Sequence, residues 1–166
     1  MPRMMDLVSR VLEENEWPFP QTEQEGIVQT TFQGENGQWT CYAFATEEQQ
    51  RLVFYSVCPV HAPQTSQQAV AELIARINYG LVTGNFEFDF DDGEICFKTS
   101  VDCSGVDGED DNLIMALVEP IVFTNVVIMD MFLPAILKVI YGDMSPEQAL
   151  AEIRESGLDE ENLRDS

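Results

Sequence analysis

Residues 84–101 read GNFEFDFDDGEICFKTSV, and this stretch indicates the architecture of the chain. Apolar and acidic residues alternate strictly from Phe86 to Asp91, which is the period of a β-strand with one buried face. Asp92-Gly93 is a strong signal for a two-residue hairpin turn. The alternation then resumes on the far side of the turn, so the stretch predicts an antiparallel β-hairpin.

The segments before the hairpin predict two helices separated by three strands. Apolar residues at helical spacing, with a glycine stop at Gly84, predict a helix between Thr65 and Leu81, and Thr65 with Gln68 forms a capping box. A short amphipathic helix and three strands precede it, over residues 4–12, 27–32, 39–45 and 51–57. These elements predict a three-strand meander followed by a helix and the hairpin.

The stretch from Asn112 to Tyr141 is strongly apolar and predicts one long helix. Three charged side chains interrupt it, namely Glu119, Asp130 and Lys138. Each charge near the centre of a bilayer costs roughly 2.5–3.5 kcal/mol, so we expect a helix that packs on the sheet and does not span a membrane. Its two prolines, Pro120 and Pro134, should kink or divide it.

The predicted order of elements is α-β-β-β-α-β-β-α-α, with a last helix that opens at Ser145-Pro146. This order is typical of an α+β fold with a single antiparallel sheet, a three-strand meander plus a hairpin, and helices packed on one face. We expect one domain over residues 1–156. The acidic segment 157–166 is predicted to be a flexible tail.

The net charge is extreme, because 30 acidic residues face only 8 basic ones and the formal charge is −22. Such a field repels phosphate backbones and anionic membranes, so we expect neither nucleic acid nor membrane as a partner. It favours basic partners and cations. The start of the chain lacks the apolar stretch of a secretory signal, and we expect a cytoplasmic protein.

The sequence offers few side chains in a catalytic or metal-binding arrangement. His61 is the one histidine, and a zinc site needs further ligands beside it. The cysteines show no C-x-x-C pair and are expected to be reduced core thiols. Cys96 lies out of phase with its buried neighbours and is the thiol best placed for redox behaviour. We therefore predict no catalytic residue, no metal ligand and no cofactor.

Acidic side chains cluster at the hairpin tip and in the loop that follows it. These residues are Asp89, Asp91, Asp92 and Glu94, and then Asp102, Asp107, Glu109, Asp110 and Asp111. Oxygen-rich loops suit hard cations, although neither segment keeps the EF-hand spacing. A cation-binding protein or a hydrolase with paired carboxylates is therefore an alternative function.

Aromatic and apolar residues on the predicted strands and the long helix predict a surface that associates with another polypeptide. The candidate partner-binding residues are Trp39, Tyr42, Phe44, Phe123 and Val127. A second copy of the chain is the favoured occupant, and a basic or amphipathic client protein is the other. The charge alone also permits an acidic mimic of nucleic acid that binds basic proteins.

The run from Ala71 to Val101 resembles the YbjN domain family. A helix with Asn78 and a later glycine, Gly84, leads into the acidic, aromatic hairpin. The resemblance implies a fold similar to type III secretion chaperones, commonly dimeric, that binds proteins and catalyses nothing. It implies a regulatory, chaperone-like protein and supplies no catalytic residue.

Overall fold

The structure is a computed structural model that describes residues 3–18, 26–106 and 110–157. It is an α+β fold in which the predicted element order is confirmed. The helices are α1 (Arg3–Glu14), α2 (Gln67–Gly80), α3 (Asp111–Tyr141) and α4 (Pro146–Glu155). The strands are β1 (Ile27–Gln33), β2 (Gln38–Thr46), β3 (Arg51–Val57), β4 (Asn85–Phe88) and β5 (Ile95–Asp102). The predicted tail lies outside the described residues from residue 158 onward.

The five strands form one antiparallel sheet in the order β1-β2-β3-β5-β4. The meander supplies the first three positions, and the hairpin joins it through β5, so that Phe54 lies opposite Thr99. The prediction of a single sheet built from a meander and a hairpin is confirmed. The sequence did not indicate that β5 would be the strand in contact with the meander.

Residues alternate across the sheet, and one face is buried beneath the helices. Its side chains include Trp39, Cys41, Ala43, Leu52, Phe54, Phe86, Ile95 and Phe97, all of them less than 5% exposed. Helix α3 crosses this inner face, where Asn125 Nδ2 donates hydrogen bonds to the carbonyl oxygens of Phe54 and Phe97 at 2.9 and 3.0 Å. Packing of this kind buries apolar surface and also fixes the helix to two strands by directional bonds.

Helix α3 is long and apolar enough to cross a membrane by length and composition, but 61% of its most apolar window is buried within the fold. This burial favours a core helix. The helix is not divided by its prolines, because it runs from Asp111 to Tyr141 without interruption. Pro134 cannot donate to the carbonyl of Asp130, and that carbonyl instead accepts a hydrogen bond from Asn36 Nδ2 at 3.0 Å.

The turn of the hairpin is longer than predicted. Residues 89–94 connect β4 to β5, and the N–H of Asp89 donates to the carbonyl of Glu94 at 3.0 Å, so the two-residue turn at Asp92-Gly93 was wrong. Gly93 has a φ of +80° and its carbonyl accepts the N–H of Ala62 at 2.9 Å. A side chain at Gly93 would collide with the Ala62 backbone. The turn is therefore shaped by a contact with a distant loop.

The predicted helix before the hairpin forms, although it starts later than expected. Helix α2 begins at Gln67 after a short 3-10 turn, and no side chain caps it, so the predicted capping box at Thr65 was wrong. Its Asn78 hydrogen-bonds both backbone groups of Phe86, from Nδ2 to the carbonyl at 3.0 Å and from the N–H to Oδ1 at 2.8 Å. This side chain pairs with β4 at the edge of the sheet, where unpaired backbone groups invite aggregation.

Candidate protein-interaction surfaces

The helices lie on the inner face of the sheet, which leaves the opposite face uncovered by them. The apolar centre of this face comes from alternate residues of β2 and β3, which the register sets side by side. We call this surface the outer sheet face, and its central residues are Tyr42, Phe44, Val53 and Tyr55. Each is at least partly exposed, and Phe44 keeps 38% of its surface accessible.

The aromatic rings of the outer sheet face contact one another. The ring centroids of Tyr42 and Phe44 are 6.2 Å apart, and those of Phe44 and Tyr55 are 5.7 Å apart with nearly perpendicular planes. Edge-to-face contacts of this kind hold the rings in place within one molecule. The outer sheet face is therefore an ordered, largely aromatic surface.

Two ion pairs flank the aromatic centre. Arg51 Nε is 2.7 Å from a carboxylate oxygen of Asp102, and Lys98 Nζ contacts a carboxylate oxygen of Glu87. The hydrogen bond that Lys98 donates to Glu87 raises the pKa of Lys98. Hydrogen bonds from Ser104, together with the Arg51 guanidinium, lower the pKa of Asp102 to about 2. Partial burial, with a further contribution from the charge of Glu87, raises the pKa of Tyr55.

The exposed side of helix α3 carries the second apolar surface. Its side chains recur at spacings of four, three and seven residues, which places them on one stripe of the helix. We call it the helix stripe, and it consists of Leu113, Leu117, Pro120 and Val127. Leu113 is 47% exposed, and Val127 is 41% exposed. Acidic groups lie at its N-terminal end, where Asp110 caps the helix and Asp111 pairs with Arg3 at 2.9 Å.

The five predicted partner-binding residues occupy three different places. Tyr42 and Phe44 lie on the outer sheet face, whereas Val127 belongs to the helix stripe. Phe123 is half-buried beside that stripe and contacts Trp17 with ring centroids 5.8 Å apart. Trp39 does not belong to an exposed surface, because it is only 3% accessible and its Nε1 donates to Ser56 Oγ inside the core.

Trp39 was wrongly included because the prediction combined residues from both faces of β2. Trp39 shares its face with Cys41 and Ala43, both buried, and the opposite parity gives Tyr42 and Phe44. The same parity, extended to β3, would have added Val53 and Tyr55. On α3, the pair Leu113 and Leu117 was a missed signal at i, i+4 spacing.

The acidic loops use their carboxylates to shape the backbone. Asp89 Oδ1 accepts the N–H of Asp91, and Asp92 Oδ1 accepts the N–H of Glu94, both at 2.8 Å. Asp107 and Glu109 lie outside the described residues. Among residues 3–18, 26–106 and 110–157, no three Cys, His, Asp or Glu side chains gather as a metal-binding group. The described part of these loops therefore contributes turns and a helix cap.

His61 does not form a catalytic pair with a serine or cysteine side chain among the described residues. His61 Nδ1 lies 3.1 Å from the carbonyl oxygen of Asp92, while Ser56 Oγ is held in the core by Trp39. His61 opens onto a shallow cleft of about 590 Å³ whose wall includes Phe90, Asp91 and Tyr141. No hydrogen bond joins His61 to a Ser or Cys side chain in the described part of the chain.

All four cysteines are buried and none is in a disulfide. Burial raises the pKa of Cys41 to about 12 and that of Cys58 to about 11. Cys96 does lie on the outer side of its strand, beside Glu94, but burial and the neighbouring carboxylates raise its pKa as well. A thiol that stays protonated is a weak nucleophile, so none of these three thiols is activated.

Comparison with known proteins identifies the family. The model of the YbjN family, described as "Putative bacterial sensory transduction regulator", matches residues 5–120. The chain belongs to the YbjN family. The resemblance seen in the hairpin motif is thereby confirmed, and the description is that of a regulator.

A solved structure supports the same fold. The chain is similar to the crystal structure of YbjN from E. coli, described as "a putative transcription regulator", with a TM-score of 0.51. The two chains share 9% sequence identity, and the similarity covers 76% of this chain and 88% of the E. coli chain. No curated protein matches this chain. At this identity the likeness concerns the fold alone.

Proposed function

We propose that this YbjN-family chain is a non-enzymatic, cytoplasmic, protein-binding domain that regulates or chaperones its partner and acts as a homodimer. One observation carries the proposal. The helices cover only one face of the sheet, which leaves the outer sheet face open. The exposed side of α3 adds a second apolar surface, the helix stripe. Exposed apolar patches with polar margins are typical of protein-association sites.

The described chemistry supports binding over catalysis. The carboxylates of the acidic loops engage backbone N–H groups, and the three thiols whose pKa is shifted to 11 or above stay protonated at neutral pH. General acid–base catalysis instead needs a group whose pKa is tuned towards the working pH. The regulatory description of the family agrees with a binding role.

Sedimentation equilibrium of the whole chain over a concentration series tests the homodimer. We expect a monomer–dimer equilibrium, and a strict monomer at every concentration would contradict that part of the proposal. Calorimetric titration with Ca²⁺, Mg²⁺ and Mn²⁺ addresses the alternative of a cation-binding protein or hydrolase. We expect only weak, non-stoichiometric heats, and tight stoichiometric binding would favour the alternative.

Affinity purification from the native host tests for a client. A client held by the helix stripe should be lost in Leu117→Glu and retained in Glu119→Gln, an exposed substitution in the same helix. A set of uniformly basic partners that bind both variants alike and dissociate at modest salt would instead favour the acidic mimic.

A further inference from the structure

The two apolar surfaces differ in the charged side chains around them, and this difference bears on which partner each surface can bind. The strands carry four charged side chains towards the outer sheet face, Arg51, Lys98, Glu87 and Asp102, and these form two closed ion pairs. These four charges cancel, and Glu94 beside Cys96 adds one carboxylate at the edge, so the face is nearly neutral in a chain whose formal charge is −22. The helix stripe instead begins beside Asp110 and Asp111 and passes Glu119, with Arg3 as the paired cation.

Self-association of so acidic a protein is opposed by electrostatic repulsion between the copies. Two copies can approach closely only where the facing surfaces have little net charge, or where each presents both signs. The outer sheet face approaches both conditions, since the charged side chains of its strands form two closed ion pairs and Glu94, beside Cys96, is the carboxylate next to them without an ion-pair partner among the described residues. A basic client would gain little at the centre of this face, because the carboxylates of Glu87 and Asp102 are already paired and, of the described carboxylates there, only Glu94 at the edge is left to meet it.

We infer that the outer sheet face is the interface between two copies of this chain, packed face to face about a two-fold axis. The inference rests on the homodimer of the proposed function and assigns it to one surface. Aligned sheets pack about 10 Å apart with interdigitating side chains. Tyrosine and phenylalanine at the centre, with charged groups kept at the margin, match the composition of protein interfaces.

Two-fold symmetry suits the order of groups on this face. A two-fold interface places the same patch on both sides, so a self-complementary patch must carry its own counter-charges. Lys98 on β5 lies directly opposite Tyr55 of β3, and Arg51 lies four positions away from Tyr55 along β3. Each copy can therefore present cations and carboxylates to the other while Phe44 and Tyr55 fill the centre.

The test compares two substitutions that are matched in exposure and in charge. Phe44 is 38% exposed on the outer sheet face, and Val127 is 41% exposed on the helix stripe. We expect Phe44→Glu to weaken the dimer by about 30-fold or more, as for a central interface residue. Val127→Glu should leave the dissociation constant within about 3-fold of wild type. Circular dichroism establishes that each variant is folded.

A charge reversal and its rescue provide a second measurement that leaves the aromatic rings intact. Lys98→Glu makes the face more negative by two charges and should weaken the dimer, and the double variant Glu87→Lys with Lys98→Glu should restore it. Raising NaCl from about 0.05 M to 0.5 M should strengthen the wild-type dimer, because screening reduces repulsion between the copies.

The alternatives give different results. Loss of the dimer in Val127→Glu but not in Phe44→Glu would overturn the assignment and leave the homodimer standing. A wild-type monomer at every concentration would overturn the homodimer of the proposed function as well. A lysine-rich amphipathic peptide that displaces the second copy, and binds more weakly as salt rises, would assign the face to a basic client and overturn the inference.

Discussion

The side chains on the two faces of strand β3 lie in very different surroundings. Leu52, Phe54 and Ser56 point inward and are fully buried beneath the helices, whereas Val53 and Tyr55 point outward and are partly exposed. The inner side is specified within the chain by packing and by hydrogen bonds from α3. The outer side is not covered by any of the four described helices, so its side chains should contribute less to folding than those of the inner side.

Truncation on the two sides should therefore have very unequal effects on stability. Phe54→Ala removes a fully buried ring and should cost about 3–5 kcal/mol of unfolding free energy. Tyr55→Ala, its neighbour on the outer sheet face, should cost at most about 1 kcal/mol, the range of a cross-strand contact. Urea unfolding at a concentration where the chain is monomeric measures both. Equal losses would break the distinction between the two sides.

A charge placed at the centre of the inner side should be nearly as damaging. Asn125→Asp keeps the size of the side chain but turns a donor to two carbonyls into an anion that faces them. A buried uncompensated charge costs about 3–5 kcal/mol. Burial raises the pKa of such a carboxyl, so the variant's deficit should shrink as the pH falls and the group becomes protonated. Asn112→Asp, exposed in the first turn of α3, is the matched control and should change stability little.

The comparison also separates what the sequence could predict from what it could not. Alternation alone placed Cys41 and Ala43 on one side and Tyr42 and Phe44 on the other, because a strand has a strict period of two. The helices followed from apolar spacing in the same way. These signals are local, since each depends on residues only a few positions apart.

Contacts between distant segments were beyond such signals. Glu47 accepts the N–H groups of Met4 and Met5 at 3.0 Å and so caps α1 from a turn more than 40 positions away. The Asp89–Glu94 turn depends on Ala62, and the ion pairs of the outer sheet face depend on which strands become neighbours. The candidate interface was for this reason only half predicted. Its rings on β2 were identified, while the partners on β3 and β5 were not.

The turn between β1 and β2 is another contact between distant segments, and the loss expected from breaking it is smaller. Asp130 of α3 accepts the N–H groups of Glu35 and Asn36, both at 2.9 Å, and a side chain at Gly34 would collide with its carboxylate. Asp130→Ala should cost about 1 kcal/mol, because these exposed hydrogen bonds compete with water. Glu119→Ala, in the same helix, is the control, and an equal loss there would show that α3 does not anchor the turn. Urea unfolding and amide exchange at Asn36 measure the effect.

The smallest effect is expected at the margin of the outer sheet face, and it depends on pH. The pKa of Asp102 is lowered from 3.8 to about 2 by hydrogen bonds from Ser104 and by Arg51, so the folded state favours the carboxylate. The resulting stability is present above the unfolded pKa and is lost as the pH falls through 3.8 towards 2.

Protonation of the many other acidic groups also relieves repulsion in this chain, so the absolute acid profile does not isolate Asp102. The difference between wild type and Asp102→Asn does. The wild-type advantage in urea midpoint should be largest near pH 6, diminish below pH 4 and shrink further in high salt, because the Arg51 pair is exposed. A difference that stays constant from pH 6 to pH 2 would contradict the lowered pKa.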